Sequence, residues 1–469
     1  MSAEHSKDEL LGLLRQNNCE MTLRQKFRLT VLLSVPAVIA QLSSIMMQVI
    51  DAAMVGHLST DEAAAVGLVS TTIWLFSGLI SAFASGFAVQ VAHRVGAGDM
   101  SGARMVVRQG MVSGIMFSLL LVFAGLSVAP WLPLWLGADA AISADATRYF
   151  SIFACGMPLI VLNSVAAGSL RCSGNVKVPS ALMVMLCTLD VLFNYIFIFR
   201  CGMGTAGAAY GTLVAYAITM LVMVYSLTFR DRHLRFSNDT AVHGLRHYMP
   251  RREIVGRAGG IGLPIGLERT MLCTAQIAIS SIIAPFGSVA IAANTFAINV
   301  ESLCYMPGHG ISEAATTLVG QSKGALRRDL MHSFAWISMF LGVSVMAFMG
   351  LVMWVFAPGM MSVITPDAQV IALGSEILRI EAWAEPCFAA AIIANGVFIG
   401  AGRTLVPSLM NLCSIWGVRV TLTLALAPTM GLRGVWVAMA AELCVRGTIF
   451  VIRLCTKGWS RMAEVKQNK

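Results

Sequence analysis

Apolar residues run through most of the chain in stretches of about 20 or more, separated by short clusters of charged residues, Gly and Pro. As a helix rising about 1.5 Å per residue, each stretch is long enough to cross a hydrocarbon core roughly 30 Å thick. The pattern predicts twelve such helices, at roughly 29–55, 63–93, 105–129, 145–168, 178–199, 206–229, 254–283, 288–318, 330–356, 371–399, 405–427 and 432–455. Several exceed about 25 residues and have room to tilt, kink or extend into water.

The chain contains itself twice. At a shift of 228 residues, Pro36 in "SVPAVIAQ" falls on Pro264 in "GLPIGLER", Gly168 on Gly396, Gly174 on Gly402 and Pro179 on Pro407. "VGAGDMSGAR" matches "VGQSKGALRR" at a shift of 224, a small difference in loop length. Each half holds six spans, an even number, so both halves share one orientation. The fold class expected is an all-α membrane protein, with twelve transmembrane helices in two six-helix bundles related by internal repeat. Its divisions are an N-terminal segment (1–28), a first bundle (29–229), a linker (230–253), a second bundle (254–456) and a tail (457–469). Two similar bundles with a cavity between them suit a machine that exposes one site alternately to two sides.

Composition agrees with the pattern. Of 469 residues 57% are hydrophobic and 12% charged, and the mean hydropathy is +0.75, which a soluble globule has too little polar surface to shield. The N-terminus is polar and charged, the wrong order for a secretory signal peptide. Counting the span ends with their adjoining loops, 26 of the 33 Lys and Arg residues fall on the side that holds both termini. Arg148, Arg200 and Arg433 fall on the other side, and four lie within spans. That asymmetry predicts both termini in the cytoplasm. It also accounts for the net charge of +9 through anionic lipid, without nucleic acid. The eleven cysteines form no Cys-x-x-Cys pair and read as reduced, buried hydrophobes.

Polar residues inside the spans carry the candidate chemistry. Asp51 sits in the apolar run "SSIMMQVIDAAMVGHL". An intramembrane carboxylate costs several kcal/mol unless paired, hydrated or neutralised, so Asp51 belongs toward a bundle interior or a water-filled cavity. An acid merely hydrated near the outer end of its helix is the alternative. In "CTLDVLFNYIFIF", Asp190 and Asn194 stand at i, i+4 on one helix face. They are placed either to share or relay a proton or simply to hydrogen-bond each other. Gln41, Gln48 and Asn163 are secondary polar candidates of the kind that bond between helices.

The second half differs in charge, with Glu268 and Arg269 where the first has Ala40 and Gln41. Adjacent helical side chains point about 100° apart, so these two do not neutralise one another face to face. Glu301 and Glu385 are available either as partners for Arg269 or as cavity carboxylates, and Arg419 is a further intramembrane charge. Glu442 and Arg446 have the i, i+4 spacing of a structural ion pair. Pro36, Pro158, Pro264, Pro307 and Pro386 each remove a helical hydrogen bond and invite a kink. Met46, Met47 and Met54 flank Asp51 and offer either a deformable wall or ordinary packing. The sequence has no phosphate-binding Gly-x-x-x-x-Gly-Lys-Ser/Thr loop, no His-Glu-x-x-His and no soluble ATPase-sized segment. An enzyme is therefore not expected, and transport would draw on an ion gradient.

"VIDAAMVGHLSTDEAAAVG", "LRCSGNVKVP", "FNYIFI", "GHGISEAATTLVGQSKGA" and "IGAGRTLVP" resemble the recurring motifs of the multidrug and toxic compound extrusion (MATE) family, over roughly residues 25–456. The resemblance implies a twelve-helix, two-lobed antiporter that exports amphiphilic, often cationic compounds in exchange for protons or sodium. It matches Asp51 to the family's first-helix acid, Asp190 and Asn194 to a functional fifth-helix pair and Glu268 to a seventh-helix acid. In the tenth helix the acid of some branches falls on Phe388, with Glu385 one turn earlier, and Ile399 and Arg403 replace the usual Arg and Asp.

The ion-coupling residues expected are thus Asp51, Asp190 and Asn194, and the substrate-binding residues Glu268, Glu301, Glu385, Arg269, Gln48 and Met47. No metal site is expected, and no cofactor beyond a coupling proton or sodium ion. The expected partners are a small-molecule substrate and membrane lipid, with the chain acting as a monomer in the cell membrane, a bacterial inner membrane by expectation. The alternative is a flippase of lipid-linked precursors from the same superfamily, whose pyrophosphate cargo favours an arginine-rich cavity.

Overall fold

A computed structural model describes residues 6–16, 20–58, 60–137, 139–236, 249–456 and 458–460. Residues 237–248 of the expected linker, and 457 and 461–469 of the expected tail, lie outside the described residues. Among the described residues there are helices and no strands. Within a bilayer only a helix, short of a closed barrel, satisfies every backbone N–H and C=O internally, which is why each apolar run takes this form.

A short helix α1 (Lys7–Arg15) precedes the spans. The first half then comprises α2 (Leu23–Gly56), α3 (Thr60–Gly96), α4 (Met100–Val128), the single turn α5 (Leu132–Trp135), α6 (Ala140–Ser173), α7 (Lys177–Tyr195) and α8 (Gly204–Tyr225). In the second half follow α9 (Arg252–Ile283), α10 (Ser288–Gly324), α11 (Arg328–Ile364), α12 (Ala368–Ala382) and α13 (Glu385–Gly400). Beyond them lie α14 (Leu405–Ser414), α15 (Thr421–Met430) and α16 (Leu432–Cys455). Wider π-helical turns extend α7 through Ile196–Arg200 and α8 through Ser226–Arg230, and join α14 to α15 through Ile415–Val420.

Eleven of these helical stretches are each long and apolar enough to cross a membrane, and α12 with α13 makes a twelfth, bent by 58°. The chain is thus a multi-pass, all-α membrane protein. The apolar pattern predicts one span over 371–399, with Pro386 inviting a kink in it. It breaks at Trp383 and Ala384, and Pro386 then lies in the first turn of α13, where its missing N–H costs no helical bond. Pro36, Pro158, Pro264 and Pro307 lie inside α2, α6, α9 and α10.

The repeat is visible in local backbone chemistry. Gly174 ends α6 with φ +100°, its N–H donating to Arg171 O (2.9 Å), while Asn175 N–H donates to Leu170 O (3.0 Å). Gly402, 228 residues on, ends α13 with φ +67°, with bonds to Ile399 O (2.8 Å) and from Arg403 N–H to Phe398 O (2.9 Å). Both are Schellman caps, which need a residue in the left-handed region and so favour glycine.

By contacts the chain divides into two units. The first holds Met1–Val38, Gly96–Gly98 and Met271–Lys469; the second holds Ile39–Val95 and Asp99–Thr270. The core of the first packs Met353, Ala357 and Met361 of α11 against Ala293, Ala297 and Cys304 of α10 and Trp436 and Leu443 of α16. Trp436 Nε1 donates to Asn294 Oδ1 at 3.0 Å, satisfying a buried donor. In the second, Phe87 and Val91 of α3 meet Val106 and Val107 of α4 and Ala166 and Leu170 of α6.

Candidate functional site

The i, i+4 spacing on α7 brings Asp190 and Asn194 together, and packing brings Asp51 of α2 to them within the second unit. Asn194 Nδ2 donates to Asp51 Oδ1 at 2.9 Å and to Asp190 Oδ2 at 3.1 Å. An amide nitrogen carries two hydrogens, so both are used. Asp190 and Asn194 are fully buried and Asp51 is half-buried. Thr212 of α8 and the Asp51 carboxyl both lie beside Asp190. Asp190 Oδ1 and Asn194 Oδ1 have no hydrogen-bond partner.

Apolar and aromatic side chains pack around this cluster. Met47, Leu186 and Ala215 pack with Cys187 and Tyr216 on one side. Val55, Ile198 and Ala208 pack with Met54 and Tyr149 on another. Two carboxylates 4 Å apart repel by about 4 kcal/mol at an effective dielectric constant of 20. A proton or small cation placed between them removes that repulsion. The arrangement can therefore take up and release one positive charge.

A second group of charges lies in the first unit. Glu301 of α10, Glu381 of α12, Glu385 of α13 and Glu442 of α16 are all buried, and Arg419 stands in the field of Glu301 and Glu381. Arg446 pairs with Glu442 as its spacing predicted, Nε to Oε1 at 2.9 Å and Nη2 to Oε2 at 3.0 Å, and Ser414 Oγ donates to Glu442 Oε1 at 2.5 Å. Arg446 also lies over the Phe388 ring at 5.5 Å, and Tyr305 meets that ring edge-on at 5.4 Å. Glu381 and Glu385 flank the break between α12 and α13, and none of their four carboxyl oxygens has a hydrogen-bond partner.

Of the expected substrate residues, Glu301 and Glu385 thus fall in one cluster, and Met47 packs beside the carboxyl pair of the second unit. Gln48 is exposed on α2, as is Arg269 on α9, whose side chain runs past Gly78 of α3. Glu268 is buried in the second unit. Sequence reading missed Glu381, Gly211, Thr212, Tyr149 and Tyr216. Gly211 had a signal in the small-residue run "GTAGAAYG", which marks close helix approach.

"Probable multidrug resistance protein NorM" of Thermotoga maritima is 24% identical over 453 residues, 93% of this chain and 94% of the relative. The protein of the same description from Chromobacterium violaceum is 27% identical over 444 residues, 92% of this chain and 94% of the relative. The solved structure of a MOP superfamily transporter from Pyrococcus furiosus has a TM-score of 0.87 at 22% identity, covering 96% of this chain and 98% of its own. A MATE structure in a straight conformation gives 0.86 at 23%, covering 95% and 98%. These two share the fold. The family model MatE matches residues 36–196 and again 264–424, once in each half and at the offset of the internal repeat. With most of its length matched in this way, the chain belongs to the MatE family.

Proposed function

We infer that the chain is a secondary active antiporter that exports amphiphilic, often cationic compounds by alternating access, in exchange for protons or sodium. The observation that carries this reading is the bridge of Asn194 between half-buried Asp51 and buried Asp190, a pair of carboxyls able to gain and lose one charge. Relatives described as multidrug resistance proteins support the export class. In this reading the incoming cation neutralises the pair. The change in charge favours a different packing of α2 and α7, and substrate leaves as that packing changes. Glu268, and Glu301 and Glu385 with Glu381, attract cationic substrate through charge held in a low-dielectric setting. Arg446 is paired with Glu442 and Arg419 lies among glutamates, so neither favours the pyrophosphate of a flippase cargo.

The chain sits in the cell membrane with both termini in the cytoplasm; a reporter fused after residue 240 that read out on the other side would overturn this. The exchange itself is tested by Asp51→Asn, which keeps volume and hydrogen-bonding reach but cannot take up or release a proton near neutral pH. In proteoliposomes with equal amounts of inserted protein, the variant is expected to bind ethidium yet fail to drive its efflux with a pH or sodium gradient. Efflux near that of the parent would reduce Asp51 to a solvated residue near a helix end.

A further inference from the structure

Three separate parts of the chain converge on the first turn of α11, all within the first unit. Arg327, just before it, sends Nη1 to the carbonyls of Leu13 (3.3 Å) and Gln16 (3.0 Å) at the C-terminal end of α1, and Nη2 to Asp329 (3.2 Å). Arg328 Nε and His332 Nε2 both meet the Ser460 hydroxyl, at 3.1 and 3.0 Å, and the His332 ring packs edge-on against Trp459 at 4.9 Å. Lys26 Nζ, in the first turn of α2, donates to Ser333 Oγ at 3.0 Å.

The pieces are built to dock. Helix α1 has nine residues, too few for an isolated helix to persist in water. A capping box closes its N-terminus, with Ser6 N–H donating to Glu9 Oε2 at 2.8 Å and Glu9 N–H to Ser6 Oγ at 3.3 Å. Leu10, Leu11 and Leu14 are buried, and at its other end Arg327 donates to two carbonyls of the last turn, where helical partners run out. The turn that presents Arg327 is itself constrained. Leu326 holds φ +58°, which a branched side chain rarely adopts unless its surroundings impose it, and Arg327 N–H closes the turn onto Ser322 O at 2.9 Å.

Helix α2 carries Asp51 and passes from the first unit to the second between Val38 and Ile39, two residues beyond Pro36. A change in the packing of α2 acts on the rest of the molecule only if one end is held. We propose that α1, docked on Arg327, and the Lys26–Ser333 hydrogen bond form a clasp that fixes the Leu23 end of α2 to α11, and that this anchor is needed for efficient export. Changes at Asp51 are then passed along α2 instead of being lost as sliding of a free end. The proposal rests on the export reading for its consequence, and on the contacts above for the clasp.

Two variants test it in the full-length protein: Arg327→Ala, which removes the fork onto α1, and Leu10→Asp with Leu14→Asp, which evicts α1 from its seat. Trypsin cleavage after Arg15, followed by mass spectrometry, is expected to quicken about tenfold in both, as a loss of 1.4 kcal/mol gives. Gradient-driven ethidium efflux from proteoliposomes is expected to fall about fivefold, with equilibrium ethidium binding changed by less than about twofold. Faster cleavage with unchanged efflux would overturn the coupling role, and unchanged cleavage in both variants would overturn the clasp. Should Arg327→Ala fail to fold, the leucine pair, outside the spans, carries the test. If the parent protein moves no ethidium under either gradient, the export reading fails, while the cleavage rates still decide whether the clasp exists.

Discussion

Gly211 of α8 approaches Asn194 of α7 so closely that a β-carbon on Gly211 would stand 2.8 Å from the Asn194 backbone nitrogen and 3.0 Å from its α-carbon. The amide that joins Asp51 to Asp190 therefore owes its position to a missing side chain on a third helix. Gly211→Ala forces α7 and α8 apart, at about 1–3 kcal/mol for overpacking a close contact, and draws Asn194 away from the carboxyls. The expected outcome is a lower melting temperature in detergent together with weaker gradient-driven efflux. A variant that melts and transports like the parent would show that the approach does not set the site.

Glu268 is buried on α9 beside exposed Arg269, and its proposed role is attraction by charge. Glu268→Gln removes that charge at nearly constant shape. At 4 Å and an effective dielectric constant of 20 the lost attraction is about 4 kcal/mol at most, so export of a cationic dye is expected to fall about tenfold or more and that of a neutral dye less than about twofold. Equal losses for both dyes would mark a structural glutamate.

Asp99 caps α4 outside the spans, accepting from Gly102 N–H at 2.8 Å and from Arg94 Nη1 at 2.7 Å. Partial burial pushes its carboxyl up, but the bonds from Gly102, Arg94 and Ser101 outweigh this and hold it below the usual carboxylate range. A carboxyl held low in the folded state stabilises above its unfolded value, and that contribution is lost as pH falls through the folded one. Asp99→Asn is expected to cost about 0.5–1 kcal/mol at neutral pH, less than loss of a whole cap, with the gap to the parent closing in acid below about pH 4. Melting temperatures across a pH series check this, and a gap that widens in acid would refute it.

Much of the fold was legible because it is written in local patterns. Apolar runs long enough to span a bilayer must be helical wherever lipid surrounds them, and the Gly174 and Gly402 caps stand in the sequence at the offset of the repeat. Asp190 with Asn194, and Glu442 with Arg446, were readable as pairs because four residues on one helix fix which side chains meet.

What only the tertiary structure decided lies between helices. Asn194 reaches Asp51 across 143 residues, Gly211 makes room for it, and Glu381 joins Glu385 at a bend that the apolar pattern runs straight through. Periodicity within a helix shows which residues share a face, not which face each helix turns to its neighbours. That rotation follows from the packing of all the helices together, so a single chain records the candidate acids while the fold selects which of them meet.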